Sequence, residues 1–244
     1  MASLSVVIPT LNEERYLGRL LNSLMPVADL ISDVVVVDGH SDDNTVAIAR
    51  SFRSKGSASL PLACLTSDFR NVAAQRNQGA AASKGELILF LDADVTLIGR
   101  RTLEAALKRF SYGDSSVLSV RFVPQEGGVI GWLYLTVIYV FHRLMARLYP
   151  YSIGGFLLTS RRVFEKVGGF DPAIKVSEDA NFCLRALKFG RFCVLPETVS
   201  YSMRRFRQYG YIRMGFKYVW LFLYRTFIGE IKRPPVPYEF GRFR

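Results

Sequence analysis

The chain has 244 residues, and 50% of them are hydrophobic, so it is long enough to enclose one large core but short for two independent domains. It carries 32 Lys and Arg against 21 Asp and Glu, with ten of these cations in residues 201–244, which favours an anionic partner such as nucleic acid, a phospholipid surface or a phosphorylated substrate. The three cysteines are scattered singly through apolar runs, a pattern that argues against a disulfide framework and is typical of a reducing compartment.

The first part of the chain alternates short apolar runs with helical patterns. The N-terminus enters the first run without a basic segment, so we expect no signal peptide. Strands are predicted at residues 5–10, 33–38 and 60–65, and helices are predicted to open at Asn12–Glu14, after Asp38–Asn44, and over the alanine-rich residues 71–83. The small side chains of this last helix should let it pack close to a sheet. The alternation predicts an α/β fold with a mostly parallel central sheet flanked by helices.

The most informative run is Leu87–Leu91, five large apolar residues that predict a strand buried on both faces of the sheet. It leads directly into Asp92 and Asp94, and open α/β sheets bind their ligands at the carboxyl ends of the strands. A hard divalent cation such as Mg²⁺ or Mn²⁺ is usually held by one or two carboxylates together with substrate phosphates. The pair therefore predicts a metal-bridged diphosphate, unless both residues only end the strand and cap a turn.

The middle of the chain contains a long uncharged helical segment. Residues 127–141 carry no formal charge but are too short to span a bilayer, which needs about 20 apolar residues. The segment is either a buried core helix or a helix lying in a membrane interface, with Trp132, Tyr134 and Tyr139 as interfacial aromatics. Around it the pattern predicts a helix over 100–110, strands over 116–123 and 154–159, a helix over 161–167, a turn at 168–172, and an amphipathic helix with Ser177 as its N-cap.

The C-terminal region is predicted to form an aromatic-rich amphipathic helix over Gln208–Ile228. Its cations Arg213, Lys217 and Arg225 fall within an arc of about 120°, which leaves the rest of the helix to apolar side chains. A basic amphipathic helix suits the surface of an anionic membrane, and the alternative is a docking helix of the fold whose cations face solvent. The prolines of residues 234–237 predict an extended arm.

Six short motifs occur in a fixed order along the chain: Pro9–Glu13, Asp38–Asp43, Arg76–Gly79, Asp92–Asp94, Gly168–Asp171 and Glu178–Asp179. Their order and spacing resemble the family 2 glycosyltransferases of GT-A fold, over roughly residues 4–207. The resemblance implies a Rossmann-like catalytic domain over residues 1–207, with residues 208–244 adding the amphipathic helix and tail to the same unit. It also implies an inverting transferase that depends on Mn²⁺ or Mg²⁺ and takes its sugar from a nucleotide diphosphate sugar.

The resemblance further implies roles for individual residues. Asp179 matches the family's general base, with Glu178 orienting it or helping to bind the acceptor. Asp92 and Asp94 match the metal ligands, and Asp38 matches the aspartate that reads the nucleotide base. The other positions implied for the donor nucleotide sugar are Pro9, Thr10, Asn12, Glu13, Gly39, Arg76, Asn77, Asp92, Ala93, Arg204 and Arg205. Those implied for the acceptor are Gly154, Gly155 and Phe156.

Ordinary structural roles stay open for several of these residues. Asp38 and Asp42 could serve only their turn, because aspartate side chains often support turns. Arg76 could form a surface ion pair. Glu178 and Asp179 could simply favour the positive end of their helix, an effect of about 0.3–1 kcal/mol.

Other protein classes share part of the pattern. A sugar-phosphate nucleotidyltransferase would have a glycine-rich loop after the first strand, where Pro9–Asn12 has no glycine. A nucleic-acid-binding protein would not need buried strands ending at Asp38 and Asp92, so we expect no nucleic-acid partner; a non-catalytic membrane adaptor is the third class. The Gln-x-x-Arg-Trp sequence that family members often carry is absent near residues 201–205, which argues against processive polysaccharide synthesis. For an enzyme, we expect a polyprenyl phosphate or glycan acceptor and a cytoplasmic protein, peripheral on the inner face of the membrane.

Overall fold

The structure, a computed structural model, describes residues 2–53, 60–146, 150 and 155–232, and the strands in these ranges form one mixed sheet. The strands, numbered in chain order, are β1 (Leu4–Thr10), β2 (Asp33–Asp38), β3 (Leu62–Thr66), β4 (Leu87–Leu91), β5 (Val95–Leu97), β6 (Ser115–Pro124), β7 (Phe156–Ser160) and β8 (Arg191–Tyr201). The α-helices are α1 (Leu17–Leu24), α2 (Thr45–Arg53), α3 (Val72–Ala82), α4 (Arg100–Phe110), α5 (Gly128–Met145), α6 (Arg161–Val167), α7 (Glu178–Ala186), α8 (Arg204–Tyr209) and α9 (Tyr211–Phe227). Short 3₁₀ helices follow α1 at Met25–Leu30 and α7 at Leu187–Phe189.

The strand order creates a crevice beside the end of β4. The sheet runs β3-β2-β1-β4-β7-β6-β8-β5, and the first four of these strands are parallel to one another. Strand β7 is antiparallel to β4 and β6, β8 is parallel to β6, and β5 is antiparallel to β8. Strands β2 and β3 are added on one side of β1, and β4 is added on the other side. The direction in which successive strands are added therefore reverses between β1 and β4. The predicted α/β fold is confirmed, and its ligand crevice is expected at the carboxyl ends of these two strands.

Strand β4 is buried on both faces because helices cover both sides of the sheet. Its residues Leu89 and Leu91 belong to one apolar cluster, while Ile88 and Phe90 belong to a second. In the second cluster, the rings of Phe90 and Phe170 meet edge to face with their centroids 5.0 Å apart. Since alternate residues of a strand point to opposite faces, an uninterrupted apolar run needs a core on each side.

Helix α3 lies very close to the sheet, as its small side chains predict. A Cβ atom on Gly79 would overlap Val7 Cγ1 of β1 and would lie 3.1 Å from Val37 Cγ2 of β2. A residue larger than glycine therefore needs these neighbours to move. The close approach places Gln75 and Arg76, one turn earlier in α3, beside the ends of the strands.

Some predicted boundaries in the sheet region were wrong. Helix α1 begins at Leu17 rather than at Asn12–Glu14, because the backbone N–H groups of residues 12–14 donate to side chains of the loop after β2. Strand β3 begins at Leu62 rather than at residue 60. The strand prediction missed β5, which has three residues, and β8, whose pairing with β6 shifts at Pro196 and Glu197. Strand β5 is too short to show an apolar run, and the run Phe192–Leu195 of β8 is cut off by Pro196 and Glu197.

The predicted C-terminal helix differs from the structure in its continuity and in the burial of one of its cations. The helix is broken at Gly210, whose φ of 83° separates α8 from α9. The domain boundary predicted at residue 207 falls inside α8. Arg225, expected on a solvated face, is 6% exposed and lies 3.3 Å from Glu230. The exposed residues of α9 are instead mostly apolar: Ile212, Phe216, Val219, Trp220, Leu223 and Phe227. Residues 234–237 lie outside the described residues.

Helix α5 carries a second apolar surface. Of its 18 residues, Gly131, Leu135 and His142 are buried, so the prediction of a buried core helix is wrong. The helix has a mean hydropathy of 1.4 and, by length and composition alone, could cross a membrane. Its 18 residues rise about 27 Å, against a hydrocarbon core of about 30 Å. An interfacial position of α5 stays a prediction.

Candidate active site

The ends of β1 and β2 are joined by a buried, hydrogen-bonded turn. Asp38 is 1% exposed, and its Oδ1 accepts hydrogen bonds from Thr10 Oγ1 at 3.1 Å and from Ser41 Oγ at 2.5 Å. Its Oδ2 accepts from Ser41 N at 2.8 Å, and Gly39 N donates to Thr10 O at 2.8 Å. Asp38 therefore supports the turn, which is one of the two roles predicted for it. Its other predicted role, recognition of the nucleotide base, stays a prediction.

Gln75 is a residue of this region that the sequence analysis missed. Its fully buried side chain donates from Nε2 to Thr10 O at 2.7 Å and to Val37 O at 2.9 Å, which ties β1 to β2. A Cβ atom on Gly39 would lie 2.8 Å from the same nitrogen, so a larger residue there would displace the Gln75 amide. The sequence did contain a signal for Gln75, because it is a long polar side chain among the alanine and glycine residues of α3.

The loops after β1 and β2 hold each other in strained conformations. Asn12 N donates to Ser41 Oγ at 2.9 Å, and Asn12 Oδ1 accepts from Asp42 N at 2.8 Å. Asn12 and His40 adopt φ angles of 58° and 62°; together with Ser177 at 63°, they are the non-glycine residues with positive φ in the described ranges. Such conformations cost of order 1–3 kcal/mol each and cluster at functional sites. Here all three lie in loops next to the carboxyl ends of the strands or at the start of α7.

Arg204 joins Glu13 to Asp94 on one side of the crevice. Its Nη1 and Nη2 donate to the two carboxylate oxygens of Glu13 at 2.7 and 2.6 Å, and Nη2 lies 3.2 Å from Asp94 Oδ2. The guanidinium also lies over the ring of Tyr16, 4.4 Å from its centroid. Burial raises the pKa of Asp94, and burial raises the pKa of Glu13 to about 7, while Arg204 acts against both shifts. The loop after β1, the end of β4 and α8 are thereby held together.

Arg76 makes a second tie, between Asp92 and Glu178. Its side chain is 3% exposed, with Nη2 2.8 Å from Asp92 Oδ1 and Nη1 2.7 Å from Glu178 Oε1. Its guanidinium lies 5.2 Å from the centroid of the Phe170 ring. Burial acts against the charge of Arg76, but the carboxylates of Asp92, Glu178 and Asp179 raise its pKa above the ordinary value. The predicted alternative of a surface ion pair is wrong, because this pair is buried and has a carboxylate on each side.

Glu178 and Asp179 form the first turn of α7. Ser177 occupies the N-cap position, as predicted, but it has positive φ and its side chain makes no capping hydrogen bond. Asp179 is 7% exposed, and its Oδ1 accepts a hydrogen bond from Ala180 N at 2.8 Å. Burial and the charge of Glu178 raise the pKa of Asp179 to about 7, although Arg76 acts in the opposite direction. A carboxyl group with a pKa near neutrality can exchange protons at physiological pH.

One cavity of about 580 Å³ connects these groups. Its polar end is lined by Glu13, Arg76, Asp92, Asp94, Glu178, Asp179, Arg204 and Arg205, together with Pro9 and Ala93. Its other end is lined by apolar residues of α5 and α9. The predicted donor residues Thr10, Asn12, Asp38, Gly39 and Asn77 do not line this cavity. The carboxylates predicted to bind the metal and to transfer the proton thus line the same cavity. The loops after β1 and β2, which are predicted to bind the nucleotide, lie beside it.

Three residues predicted to contact ligands have structural roles in the fold. Asn77 Nδ2 donates to Phe170 O and Asn77 Oδ1 accepts from Phe170 N, both at 2.8 Å, so this amide supports the turn at 168–171, and its contact with the donor stays a prediction. A Cβ atom on Gly155 would lie 2.8 Å from a side chain of β5, so close packing accounts for the glycine, and its contact with the acceptor stays a prediction. Phe156 is fully buried in the core. Gly154 lies outside the described residues.

The family comparison agrees with this geometry. A model described as glycosyl transferase family 2 matches residues 5–168. The chain belongs to glycosyl transferase family 2. In this glycosyltransferase the match includes the loops after β1 and β2, α3 and the end of β4. Helices α7, α8 and α9, with Asp179 and Arg204, lie beyond it.

Similar proteins include two glycosyltransferases of Staphylococcus aureus. The poly(ribitol-phosphate) beta-N-acetylglucosaminyltransferase TarS is 30% identical over 212 residues, which cover 82% of this chain and 35% of TarS. The 4,4'-diaponeurosporenoate glycosyltransferase is 26% identical over 182 residues, which cover 70% of this chain and 47% of that protein. This glycosyltransferase therefore spans about a third to a half of the length of these curated relatives.

Solved structures show the GT-A fold. A TarS fragment in complex with UDP-GlcNAc superposes with a TM-score of 0.63 at 24% identity, over 82% of this chain and 58% of that one. The mannosyltransferase PcManGT from Pyrobaculum calidifontis, in complex with GDP-Man and Mn²⁺, superposes with a TM-score of 0.70 at 20% identity, over 89% of this chain and 64% of that one. At these identities the likeness establishes the fold alone.

Proposed function

We propose that this glycosyltransferase moves a sugar from a UDP or GDP sugar to its acceptor with inversion at the anomeric carbon, aided by Mn²⁺ or Mg²⁺. The observation that carries the proposal is the cavity in which Asp92 and Asp94, after β4, meet Glu178 and Asp179 of α7. A direct displacement needs a base for the acceptor and neutralising charge for the leaving group, and this cavity supplies both. The UDP-GlcNAc bound to TarS and the GDP-Man and Mn²⁺ bound to PcManGT support the donor class and the metal.

Asp92 and Asp94 fit a hard divalent cation. Both offer carboxylate oxygens at the end of β4, and the side chain of Asp92 keeps 30% of its surface exposed. Within the described ranges, no group of three or more His, Cys, Asp and Glu side chains forms a ligand set by itself, so donor phosphates have to complete the coordination, as is usual for Mg²⁺. When bound there, the cation supplies positive charge to the leaving diphosphate.

Arg204 and Arg205 place further positive charge at the polar end of the cavity. Arg204 is already oriented by two hydrogen bonds to Glu13 and by the ring of Tyr16. A guanidinium held in this way can meet a phosphate without the entropic penalty of ordering a free side chain. We assign Arg204 to the departing diphosphate.

Asp179 acts as the base. The acceptor oxygen forms a bond to the anomeric carbon while the bond from that carbon to the diphosphate breaks, and the hydroxyl proton passes to the Asp179 carboxylate. Its pKa of about 7 suits this transfer at neutral pH. Glu178, which is tied to Arg76, orients the first turn of α7 and helps to bind the acceptor.

The acceptor approaches from the side of α5 and α9. The exposed apolar residues on both helices, combined with a net charge of +11, suit an anionic membrane surface. We assign the acceptor to a polyprenyl phosphate or a glycan at that surface. In this proposal the protein is peripheral on the cytoplasmic face of the membrane.

A panel of nucleotides and nucleotide sugars, with and without Mn²⁺, tests the donor and the metal by thermal unfolding. We expect one UDP or GDP sugar to raise the Tm in Mn²⁺ and to raise it less in chelator. Nuclear magnetic resonance of the product should show the anomeric configuration opposite to that of the donor. Full turnover in chelator contradicts the metal, retained configuration contradicts inversion, and stabilisation by none of the nucleotides contradicts the donor class.

A further inference from the structure

We infer that the apolar end of the cavity binds the hydrocarbon chain of a lipid acceptor whose phosphate-bearing head group lies at Arg205, in the cavity that Asp179 also lines. This inference rests on the proposed function and narrows its acceptor to an amphiphile. The amphiphile has one long apolar chain, a phosphate, and a head group that presents the acceptor hydroxyl to Asp179. The occupant is therefore a lipid-linked substrate rather than a free saccharide.

Helices α5 and α9 form facing walls of the apolar end. The lining residues of the two helices are Tyr134, Leu135, Val137, Ile138 and Phe141 of α5 with Gly215, Tyr218, Val219, Leu221, Phe222 and Leu223 of α9. The rings of Phe141 and Phe222 join the helices, edge to face with centroids 5.4 Å apart. Apart from the two tyrosine hydroxyls, these side chains offer a sugar no hydrogen bonds, whereas a hydrocarbon chain is driven into such a space by loss of its hydrated surface.

The lining of the cavity continues onto the outer surface of the protein. Val137 and Val219 line the cavity although they are 61% and 57% exposed. Their neighbours about one turn away, Leu133 and Phe216, are 57% and 73% exposed and do not line it. A hydrocarbon chain can therefore pass from the apolar surface of the two helices into the cavity without crossing water.

Cations at one side of the polar end favour an anionic head group. Arg204 is held by Glu13 and Asp94, so this role is assigned to Arg205, which also lines the cavity. Arg205 also lies close enough to Lys217, and Lys217 to Arg213, for their positive charges to repel one another. A phosphate near these cations reduces their repulsion, whereas a neutral head group leaves it in place.

Binding of farnesyl phosphate to the full chain, below its micellar concentration and without vesicles, tests the inference by calorimetry. Val137→Asp is compared with Leu133→Asp, since both residues lie on one face of α5 with similar exposure and only Val137 lines the cavity. We expect Val137→Asp to weaken binding by about tenfold or more and Leu133→Asp by less than about twofold. Nucleotide binding should be unchanged in both. Val219→Asp against Phe216→Asp repeats the comparison on α9.

Three results overturn the inference. Equal effects of the two α5 variants show that the cavity wall does not contact the chain. Equal wild-type affinity for farnesyl phosphate and inorganic phosphate shows that the hydrocarbon adds nothing. A loss in Val137→Asp that occurs only with vesicles present assigns the residue to the membrane surface. If farnesyl phosphate binds as expected but no nucleotide sugar binds with Mn²⁺, the lipid site is supported and the proposed function fails.

Discussion

Replacing Asp179 by Asn removes the proposed base while keeping the size and polarity of the side chain. We expect kcat to fall by about 10²–10⁴, the usual contribution of a positioned base, with nucleotide and metal binding near wild type. Because burial raises the pKa of Asp179 to about 7, the wild-type pH–rate profile should have an acid limb close to neutrality. This limb should be missing from the residual activity of Asp179→Asn.

The same substitution should make the protein more stable at high pH. In the folded chain the Asp179 carboxyl keeps its proton up to about pH 7, whereas its ordinary pKa is 3.8. Between these values the folded state binds more protons than the unfolded state, so the free energy of unfolding falls as the pH rises through this window. Asparagine has no such titration. Above pH 7 the variant should therefore be favoured over wild type by about 2–4 kcal/mol more than it is below pH 4.

Urea unfolding at pH 5 and pH 8, followed by tryptophan fluorescence, measures the larger part of this difference. Glu178→Gln is a comparison variant that leaves the Asp179 carboxyl in place, weakens the ion pair with Arg76 and removes one charge that raises the pKa of Asp179. That variant should lose stability and should mainly raise the acceptor KM. An acid limb near pH 4 would contradict the raised pKa of Asp179, and an Asp179→Asn enzyme that turns over normally would show that another carboxylate is the base.

Three further substitutions test the packing and the metal site. Arg76→Lys keeps the charge, but an ammonium group cannot contact Asp92 and Glu178 at the same time as the guanidinium does. The variant should therefore have a free energy of unfolding lower by about 1–3 kcal/mol and a reduced kcat. Wild-type values in urea unfolding and kinetics would contradict the role of Arg76 in joining the two carboxylates. Gly155→Ala overpacks β7 against its neighbours and should cost about 1–3 kcal/mol in thermal unfolding without changing the acceptor KM, whereas a selective rise in KM would support its predicted contact with the acceptor. Asp94→Asn should abolish Mn²⁺-dependent nucleotide binding in calorimetry, and unaltered Mn²⁺ dependence would remove it from the metal site.

The strands around the site were predictable because their signals are local. Residues 87–91 are uniformly apolar, and residues 33–38 are a valine run between two aspartates, so burial on both faces follows from composition alone. Strand β8 was missed because Pro196 and Glu197 interrupt it, and its strand geometry depends on pairing with β6 rather than on its own pattern. Its place in the sheet is a long-range property.

The partners of the charged residues were not predictable from the sequence. The motifs identified Arg76 and Arg204, but their carboxylate partners Glu178 and Glu13 lie 102 and 191 residues away along the chain. The burial of Arg225 was not predicted, for a related reason. A cation on a helix was expected to face solvent, yet Arg225 is buried because Glu230, just beyond the end of the helix, folds back to neutralise it.

Gly79 does not line the cavity, but it controls the position of Arg76 in the site. Any side chain there would push α3 away from β1 and β2, and Arg76, on the preceding turn, would be carried with it. The two ion-pair distances of Arg76, 2.8 and 2.7 Å, leave little slack, and a misplacement of about 1 Å near a reacting centre can lower the rate about 10²-fold. The absence of a side chain at Gly79 therefore lets α3 pack close enough to the sheet for Arg76 to bridge Asp92, after β4, and Glu178 of α7. A single methyl group added at this position should imitate an active-site mutation while leaving every active-site residue in the sequence.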